Sequence, residues 1–284
     1  MATCTDGRCD GSGFLYDEET RRARPCSCRP QLLARKRAAA VAGRIPKRYR
    51  EVSFDREPLV SIERANPHVL REVRAYVRDL SEQLAAGRGI WFSGDVGTGK
   101  TTLAMLISKA AMEADHTVAI YSLPRLLSML RETFDDGSRF SLSEFIDMLS
   151  SVDLLHIDDV GAEQTSEWVL EQLYTIFNTR YEDGKAVLLT TNLVGTPGKL
   201  VTLPSEGSDD PHPAPELVKQ IGKRTVSRIW EMCGDPKPLF GHDRRLKDRS
   251  DELETVAAHR TPDPFDDTRW EDEGPKYGQP RRAP

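Results

Sequence analysis

The segment Gly94–Thr101 has the residue types and the spacing of a phosphate-binding loop. It reads Gly-Asp-Val-Gly-Thr-Gly-Lys-Thr, between an apolar run that ends at Ser93 and an amphipathic stretch that opens at Lys100. Such glycines let backbone N–H groups curl around anionic oxygens, and the N-terminus of the following helix adds partial positive charge. An accidental Gly-rich turn is the alternative, which the strand–loop–helix context disfavours. We therefore expect a bound nucleoside triphosphate, with contacts from Gly94, Asp95, Val96, Gly97, Thr98, Gly99, Lys100, Thr101 and Thr102.

A second polar group follows the mostly apolar run Asp153–Ile157. A buried parallel strand delivers polar side chains at its carboxyl end, where ligands bind in open α/β sheets. Within the loop, Lys100 is expected to reach the β- and γ-phosphates and the Thr101 hydroxyl to bind Mg²⁺. Asp158 is the expected Mg²⁺-associated carboxylate, acting through water, and Asp159 is the candidate to orient or deprotonate the attacking water. A pair of aspartates in an ordinary turn is the alternative.

A third apolar run, Lys185–Thr191, ends at Asn192. The amide of Asn192 can hydrogen-bond the attacking water or the γ-phosphate and report hydrolysis to the rest of the fold. Thr-Asn also ends many ordinary strands, so Asn192 is a candidate only beside the two motifs above. Together the three motifs predict Mg²⁺-dependent hydrolysis of a nucleoside triphosphate.

Cysteines cluster near the start of the chain, at Cys4, Cys9, Cys26 and Cys28, and Cys233 stands apart. Two close pairs separated by a short predicted hairpin suit a tetrahedral four-cysteine zinc site. A segment with so little apolar mass has no core of its own, so metal binding can supply its folding energy. The spacings Cys-x4-Cys and Cys-x-Cys depart from the usual Cys-x2-Cys, and unpaired thiols on a flexible tail are the alternative. We expect Zn²⁺ at this cluster and core packing for Cys233.

The order of the motifs resembles that of the AAA+ ATPases of the DnaC/IstB group. These are bacterial and phage replicative-helicase loaders, together with the helper ATPases of certain transposons. The resemblance covers roughly residues 44–241. Besides the phosphate loop, it rests on the segments IPKRYREVSFD, IDDVGAE, NTRY, TTNL and RTVSRI, which start at Ile45, Ile157, Asn178, Thr190 and Arg224.

The resemblance implies an arginine finger in the last of these segments. Arg224 and Arg228 are spaced i, i+4, so they share one face of a predicted helix. In AAA+ proteins an arginine at this point reaches the nucleotide of the neighbouring protomer, where its planar fork neutralises charge on the γ-phosphate. Arg228 is the first candidate and Arg224 the second, and two solvated helix arginines are the alternative.

The composition indicates a soluble protein, with 38% hydrophobic residues. No run approaches the ~20 apolar residues of a membrane span, and the polar, Cys-bearing start lacks a signal-peptide pattern. We therefore expect a cytoplasmic protein without a membrane partner. Residues 1–50 carry 12 Lys and Arg against 5 Asp and Glu. This basic segment is the candidate contact for nucleic acid or for an acidic protein surface, although a run of charged residues is usually only a solvated surface.

Four parts are expected along the chain: a Cys-rich zinc module (1–30), a helical linker (31–45), an AAA+ ATPase domain (46–241) and a disordered tail (242–284). Alternating strands and helices predict an α/β fold with a parallel sheet flanked by helices. We further expect an extended segment over 47–55, one long helix over 67–86 and another over 216–232. Too few residues follow for a helical lid of full AAA+ size.

The resemblance implies an ATP-dependent loader of the replicative DNA helicase onto single-stranded DNA, with ATP-bridged self-association and release upon hydrolysis. Turnover is expected to be slow and to be stimulated by DNA or by a partner. A transposition helper of the IstB type is the alternative, since the two ATPase cores are hard to tell apart, and a zinc module at the front favours a loader. A nucleotide-gated adaptor that barely hydrolyses ATP also stays open, because Asp159 replaces the commoner Glu and its shorter reach can slow water activation.

Overall fold

The structure is a computed structural model that describes residues 4, 7–18, 20–30, 32–33, 44–135, 137–138, 140–161, 166–193, 201–202, 211–212 and 215–244. The linker predicted over 31–45 falls mostly outside these residues, and the tail predicted over 242–284 does so almost entirely. The chain divides into one unit of residues 1–242 and another of residues 243–284. Of the second unit, only Asp243 and Arg244 are described.

A parallel β-sheet forms the centre of the first unit. The strands, numbered in chain order, are β1 (Phe14–Asp17), β2 (Arg22–Pro25), β3 (Ile90–Gly94), β4 (Val118–Ser122), β5 (Leu154–Val160), β6 (Ala186–Thr191), β7 (Val201–Thr202), β8 (Pro211–His212) and β9 (Lys237–Leu239). The main sheet has the order β4-β5-β6-β3-β9, and every neighbouring pair in it is parallel. The predicted α/β fold with a parallel sheet is therefore confirmed.

Helices connect the parallel strands and cover both faces of the sheet. They are α1 (Leu59–Ala65), α2 (Pro67–Arg78), α3 (Leu80–Ala85), α4 (Lys100–Glu113), α5 (Leu123–Glu132), α6 (Leu142–Ser151), α7 (Glu167–Glu182), α8 (Pro215–Ile221) and α9 (Lys223–Cys233), with a 3-10 turn at Lys47–Tyr49. None of the helices in the described part of the chain combines the length and the apolar character needed to cross a membrane.

The prediction of one long helix over 67–86 is wrong, because the structure has α2 and α3 separated at Asp79. There the backbone leaves helical geometry, with φ −101° and ψ 24°. The Asp79 carboxylate accepts two hydrogen bonds of 2.8 Å from the guanidinium of Arg78. Aspartate is a poor residue for a helix interior because its short side chain bonds to nearby groups instead.

Two further expectations about local structure are corrected. The helix predicted over 216–232 is divided into α8 and α9 by Gly222, whose φ of 83° favours glycine. The segment predicted to be extended over 47–55 instead starts with the 3-10 turn and continues through further turns to a buried Val52. The carbonyl of Val52 accepts a hydrogen bond of 3.1 Å from Lys109 on α4, which ties the segment to the domain.

Side-chain alternation along the strands divides the core into two layers. Trp91 and Leu155 face one layer, where α5, α6, α7, α8 and α9 pack. Ile90 and Leu154 face the other, where α1, α2, α3 and α4 pack. The carboxyl ends of β3, β5 and β6 meet at one edge of the sheet between these layers, which is where the polar motifs are carried.

In the described part of the chain, two short antiparallel pairs lie outside the main sheet. The strands β1 and β2 form a hairpin in which Phe14 pairs with Pro25, and it precedes the cysteines Cys26 and Cys28. The strands β7 and β8 pair within the Pro-rich stretch between β6 and α8.

Candidate nucleotide site and cysteine cluster

The phosphate loop joins β3 to α4 and has a backbone shape that requires glycine. Gly94 and Gly99 have φ of 134° and 105°. A Cβ atom on Gly94 would lie 2.2 Å from the Leu239 carbonyl oxygen, and one on Gly99 would lie 2.3 Å from Cδ1 of Ile62. Both glycines therefore allow the loop to approach neighbouring atoms that any side chain would displace.

Lys100 is the first residue of α4 and is buried, with 7% of its surface exposed. Its Nζ donates hydrogen bonds to the carbonyl oxygens of Gly94 at 2.8 Å and Asp95 at 2.6 Å. The Thr98 hydroxyl donates to the same Asp95 oxygen at 2.9 Å. The ammonium group thus lies inside the loop, where a cation suits a phosphate ligand.

The two predicted Mg²⁺ residues are in contact. The Thr101 hydroxyl donates to the Asp158 carboxylate, at 3.0 Å from Oδ1 and 3.1 Å from Oδ2. The Thr190 hydroxyl donates to Oδ1 at 2.6 Å and so fixes the carboxylate from β6. Hydroxyl and carboxylate oxygens are the hard ligands that Mg²⁺ prefers, and the donor set fits this ion.

Asp159 and Asn192 also lie together, at the ends of β5 and β6. Asn192 Nδ2 donates to Asp159 Oδ1 at 3.1 Å. The backbone N–H of Asp159 donates to the Thr190 hydroxyl at 2.8 Å, and its φ of 59° turns the chain sharply after Asp158. Thr190 therefore supports both aspartates. Sequence reasoning missed this role, although the threonines before Asn192 were visible as polar residues that end an apolar strand.

His156 is a further polar residue next to this cluster that sequence reasoning passed over. It is 0% exposed on β5, and its Nδ1 lies 2.9 Å from the Ser108 hydroxyl on α4. Burial lowers the pKa of His156 to about 4, against a smaller opposing effect of the Asp158 charge. The imidazole is therefore neutral at neutral pH.

The two candidate finger arginines lie on α9, and both contact tyrosines of α7. The guanidinium of Arg228 lies 4.4 Å from the ring centre of Tyr181. Its Nε donates to Asn178 Oδ1 at 3.1 Å, and its Nη1 donates to Glu231 at 3.1 Å. Arg224 is exposed, with its guanidinium 6.0 Å from the ring centre of Tyr174.

Neither arginine belongs to the layer that holds the phosphate-loop helix. The apolar face of α9 packs in the layer of Trp91, whereas α4 packs in the opposite layer. The structure therefore groups Lys100, Thr101, Asp158 and Asp159 with Asn192 and holds Arg224 and Arg228 apart from them.

Four cysteine sulfurs converge beside the β1–β2 hairpin. The Sγ atoms of Cys4, Cys9, Cys26 and Cys28 all lie within 4.8 Å of one another. The Sγ atoms of Cys9 and Cys28 lie 3.5 Å apart, and those of Cys4 and Cys26 lie 3.9 Å apart. Tetrahedral Zn–S bonds of about 2.3 Å place sulfurs roughly 3.8 Å apart, so the spacing is close to that of a four-cysteine zinc site.

The backbone around these cysteines holds the cluster in place. Cys26 N–H donates to the Gly13 carbonyl at 3.0 Å, which joins the end of the hairpin to its start. Cys26 and Cys28 are buried, and none of the four cysteines forms a disulfide bond within the described residues. The unusual sequence spacings therefore do not prevent a compact set of four sulfur ligands.

Comparison with known proteins adds to this geometry. Residues 82–196 match the family described as IstB-like ATP binding protein. The replicative helicase loader DnaC of Buchnera aphidicola subsp. Schizaphis graminum is 29% identical over 125 residues, which is 44% of this chain and 50% of that protein. The replicative helicase loader DnaC of Escherichia coli (strain K12) is also 29% identical over 125 residues, which is 44% of this chain and 49% of that protein. The chain thus spans about half the length of the curated relatives it matches.

Solved structures show the same fold. The crystal structure of the DnaC helicase loader superposes with a TM-score of 0.55 and 24% identity, covering 69% of this chain and 100% of that one. That of a DNA replication initiation factor superposes with a TM-score of 0.50 and 22% identity, covering 73% of this chain and 55% of that one. The fold is that of the AAA+ P-loop proteins, and the central region of this chain resembles the DnaC/IstB group of AAA+ ATPases, as its motifs predict.

Proposed function

We propose that this protein is an ATP-dependent loader of the replicative DNA helicase onto single-stranded DNA, with ATP hydrolysis driving its release. The observation that carries the proposal is the contact between Thr101 on the phosphate loop and Asp158 at the end of β5. It occurs in a chain whose relatives are named replicative helicase loaders. Such a function belongs in the cytoplasm, where the replicating DNA lies.

The nucleotide is held by the loop from Gly94 to Thr102. Lys100 exchanges its two carbonyl partners for phosphate oxygens. The ammonium group moves only a short distance, because it is already buried inside the loop. Mg²⁺, when bound, neutralises charge on the β- and γ-phosphates. Thr101 and Asp158 are the residues that would hold it, and Thr190 keeps the carboxylate in place.

Hydrolysis depends on the pair at the ends of β5 and β6. Asp159 accepts a proton from the attacking water, and Asn192 holds the Oδ1 atom of that carboxylate. The shorter side chain of aspartate keeps turnover slow until DNA or a partner completes the site. ATP hydrolysis is then a timed signal for release.

Self-association places Arg228 against the nucleotide of a neighbouring protomer. Its guanidinium is half-buried over Tyr181 and already paired with Glu231, so its direction is set before assembly. On assembly Arg228 exchanges Glu231 for the γ-phosphate, where a planar fork neutralises charge. Arg224 is the second candidate for this position.

The four-cysteine cluster binds Zn²⁺ and makes a folded module from a hairpin that has no core of its own. We assign this module to contact with the helicase. Single-stranded DNA contacts the ATPase domain.

The deciding experiment mixes the full-length protein with the replicative helicase of its own organism, with and without ATP, and measures mass by size exclusion with light scattering. We expect a complex that changes with ATP and that Lys100→Ala loses. Arg71→Ala, which removes an exposed cation on α2, is the matched control and should behave as wild type. An unchanged complex in Lys100→Ala would contradict the ATP dependence.

The second candidate function is a transposition helper of the IstB type, because residues 82–196 match the family described as IstB-like ATP binding protein. No complex with the helicase in any nucleotide state, together with an ATP-dependent complex with a transposase, would favour it. The third is a nucleotide-gated adaptor, which the short, exposed side chain of Asp159 supports. Tight ATP binding with negligible turnover in the presence of DNA and partner would favour the adaptor.

A further inference from the structure

His156 is a buried polar residue whose two ring nitrogens face different parts of the candidate site. Its Nδ1 contacts the Ser108 hydroxyl at 2.9 Å. Its Nε2 is buried, has no hydrogen-bond partner among the residues that the structure describes, and lies 4.0 Å from Asp158 Oδ1. A buried polar atom without a partner costs free energy relative to the same atom in water. An apolar residue at this position of β5 would avoid that cost. Histidine is favoured here only if its Nε2 interacts with Asp158.

The groups that face the two ring nitrogens determine which nitrogen carries a proton. If Nδ1 carried it, the lone pair of Nε2 would face the negative carboxylate of Asp158 and be repelled. If Nε2 carries it, the Ser108 hydroxyl donates to Nδ1 and the Nε2–H dipole faces the carboxylate. The second arrangement satisfies both neighbours, so we assign the proton to Nε2.

We propose that His156 is a positioning residue for the Mg²⁺-associated carboxylate. This role presupposes the nucleotide site described under the proposed function. Closure by about 1 Å brings Nε2–H within hydrogen-bond distance of Asp158 Oδ1. Because Ser108 lies on the helix that begins with Lys100 and Thr101, the same ring joins that helix to the strand of Asp158. His156 thereby helps to hold the Thr101 hydroxyl against the Asp158 carboxylate, the two groups that would hold Mg²⁺.

Outer-shell partners of metal ligands alter metal affinity by about 10–100-fold when they are removed. Two substitutions test the roles of Nδ1 and Nε2 of His156 separately. The amide of Asn reaches the depth of Nδ1 and keeps a contact to Ser108, whereas the amide of Gln reaches the depth of Nε2 and keeps a donor toward Asp158. His156→Leu removes both contacts.

The measurement is binding of a fluorescent, non-hydrolysable ATP analogue to the full-length protein, titrated with Mg²⁺ and repeated in EDTA. We expect the Mg²⁺ midpoint to rise roughly tenfold in His156→Leu and His156→Asn. His156→Gln should stay near wild type. The affinity in EDTA should be the same in all four proteins, because His156 acts only through the metal ligand.

Two controls separate positioning from stability. Ile176→Val removes a buried methyl group from the opposite core layer, and it should lower the unfolding temperature without moving the Mg²⁺ midpoint. Ser108→Ala leaves His156 in place but removes the partner of Nδ1, and it should raise the midpoint in the same direction as His156→Leu. Ser108→Ala also tests the positioning role if a His156 variant does not fold.

An equal Mg²⁺ midpoint in wild type and in all the His156 and Ser108 variants would overturn the positioning role and leave the nucleotide site intact. A wild-type protein that binds the analogue identically with Mg²⁺ and with EDTA would overturn both. The two failures are therefore distinguishable in one data set.

Discussion

Asn192 donates a hydrogen bond of 3.1 Å to Asp159, although the two residues end different strands. The bond depends on the left-handed backbone at Asp159, with φ 59°, which turns its side chain toward β6. The backbone N–H of Asp159 is in turn held by Thr190 at 2.8 Å. The two candidate hydrolysis residues therefore form one unit.

Asp159→Asn should reduce ATP hydrolysis by about 10²-fold or more, because a general base contributes that much, while ATP affinity stays within about twofold. Asn192→Ala should reduce hydrolysis by a smaller factor, since it frees the Asp159 side chain without removing it. Single-turnover hydrolysis in the presence of DNA and equilibrium binding of ATP measure the two effects. Asp147→Asn, an exposed change on α6, is the control. Full hydrolysis in Asp159→Asn would assign the base elsewhere.

Arg228→Ala should leave ATP binding intact and abolish ATP-dependent assembly. Arg228 is positioned by Tyr181 and Asn178, and a guanidinium fork at a subunit boundary is needed to reach a neighbour's phosphate. Arg224→Ala removes the same charge one helical turn earlier and is the matched control, with a smaller expected loss. Sedimentation velocity with and without ATP measures assembly. Loss of assembly in Arg224→Ala alone would exchange the roles of the two residues.

Purified protein should contain one zinc per chain, and Cys26→Ser should lose most of it because serine is a far weaker zinc ligand. Cys233→Ser is the matched control, since Cys233 packs against the main core and is not part of the four-cysteine cluster. Elemental analysis gives the metal content, and chelation should unfold the hairpin selectively, as seen in its amide signals by NMR. A zinc-free wild-type protein with an ordered hairpin would contradict the metal site.

Asp153 should stabilise the fold in its ionised form. Burial alone would raise its pKa, but hydrogen bonds from Thr117 and the ammonium of Lys185 outweigh that effect, so the pKa lies below its usual value. The contribution is therefore complete above the pKa of the unfolded chain, about 3.9, and is lost as the pH falls through the lower pKa of the folded state.

Asp153→Asn should lower the free energy of unfolding at pH 7 by about 1 kcal/mol, allowing for screening of a side chain that is 34% exposed. Urea unfolding at pH 7 and at about pH 3 measures the difference between wild type and variant, which should shrink at the lower pH. Asp147→Asn again serves as the control. A difference in the free energy of unfolding between wild type and variant that grows as the pH falls would contradict the predicted direction of the pH dependence.

Chemistry carried by neighbouring residues was predictable from the sequence. Residue type and short spacing were enough to identify the phosphate loop, the aspartates at the end of β5, Asn192 and the four cysteines as candidates. One turn or one hairpin positions the members of each group. Amphipathic periodicity also predicted α/β architecture. It did not locate the breaks at Asp79 and Gly222, where one residue's backbone preference interrupts an otherwise continuous apolar stripe.

Only the tertiary structure decided which distant residues share a site. Thr190 supports Asp158 and Asp159 because β5 and β6 are adjacent and their register shifts between Ile157 and Val160, which leaves both aspartates opposite Thr190. His156 lies within 4.0 Å of Asp158 and contacts Ser108, because the helix after the phosphate loop packs on the same face of β5.

Arg180 shows the same dependence on packing. It is 0% exposed, and it donates to the carbonyl oxygens of Leu149, Ser150, Val152, Asp153 and Ala186. The sequence by itself determined which ligand classes to expect for this protein, since these expectations follow from local residue types. The fold decided which side chains support the ligand-binding residues, since that depends on which strands and helices pack together.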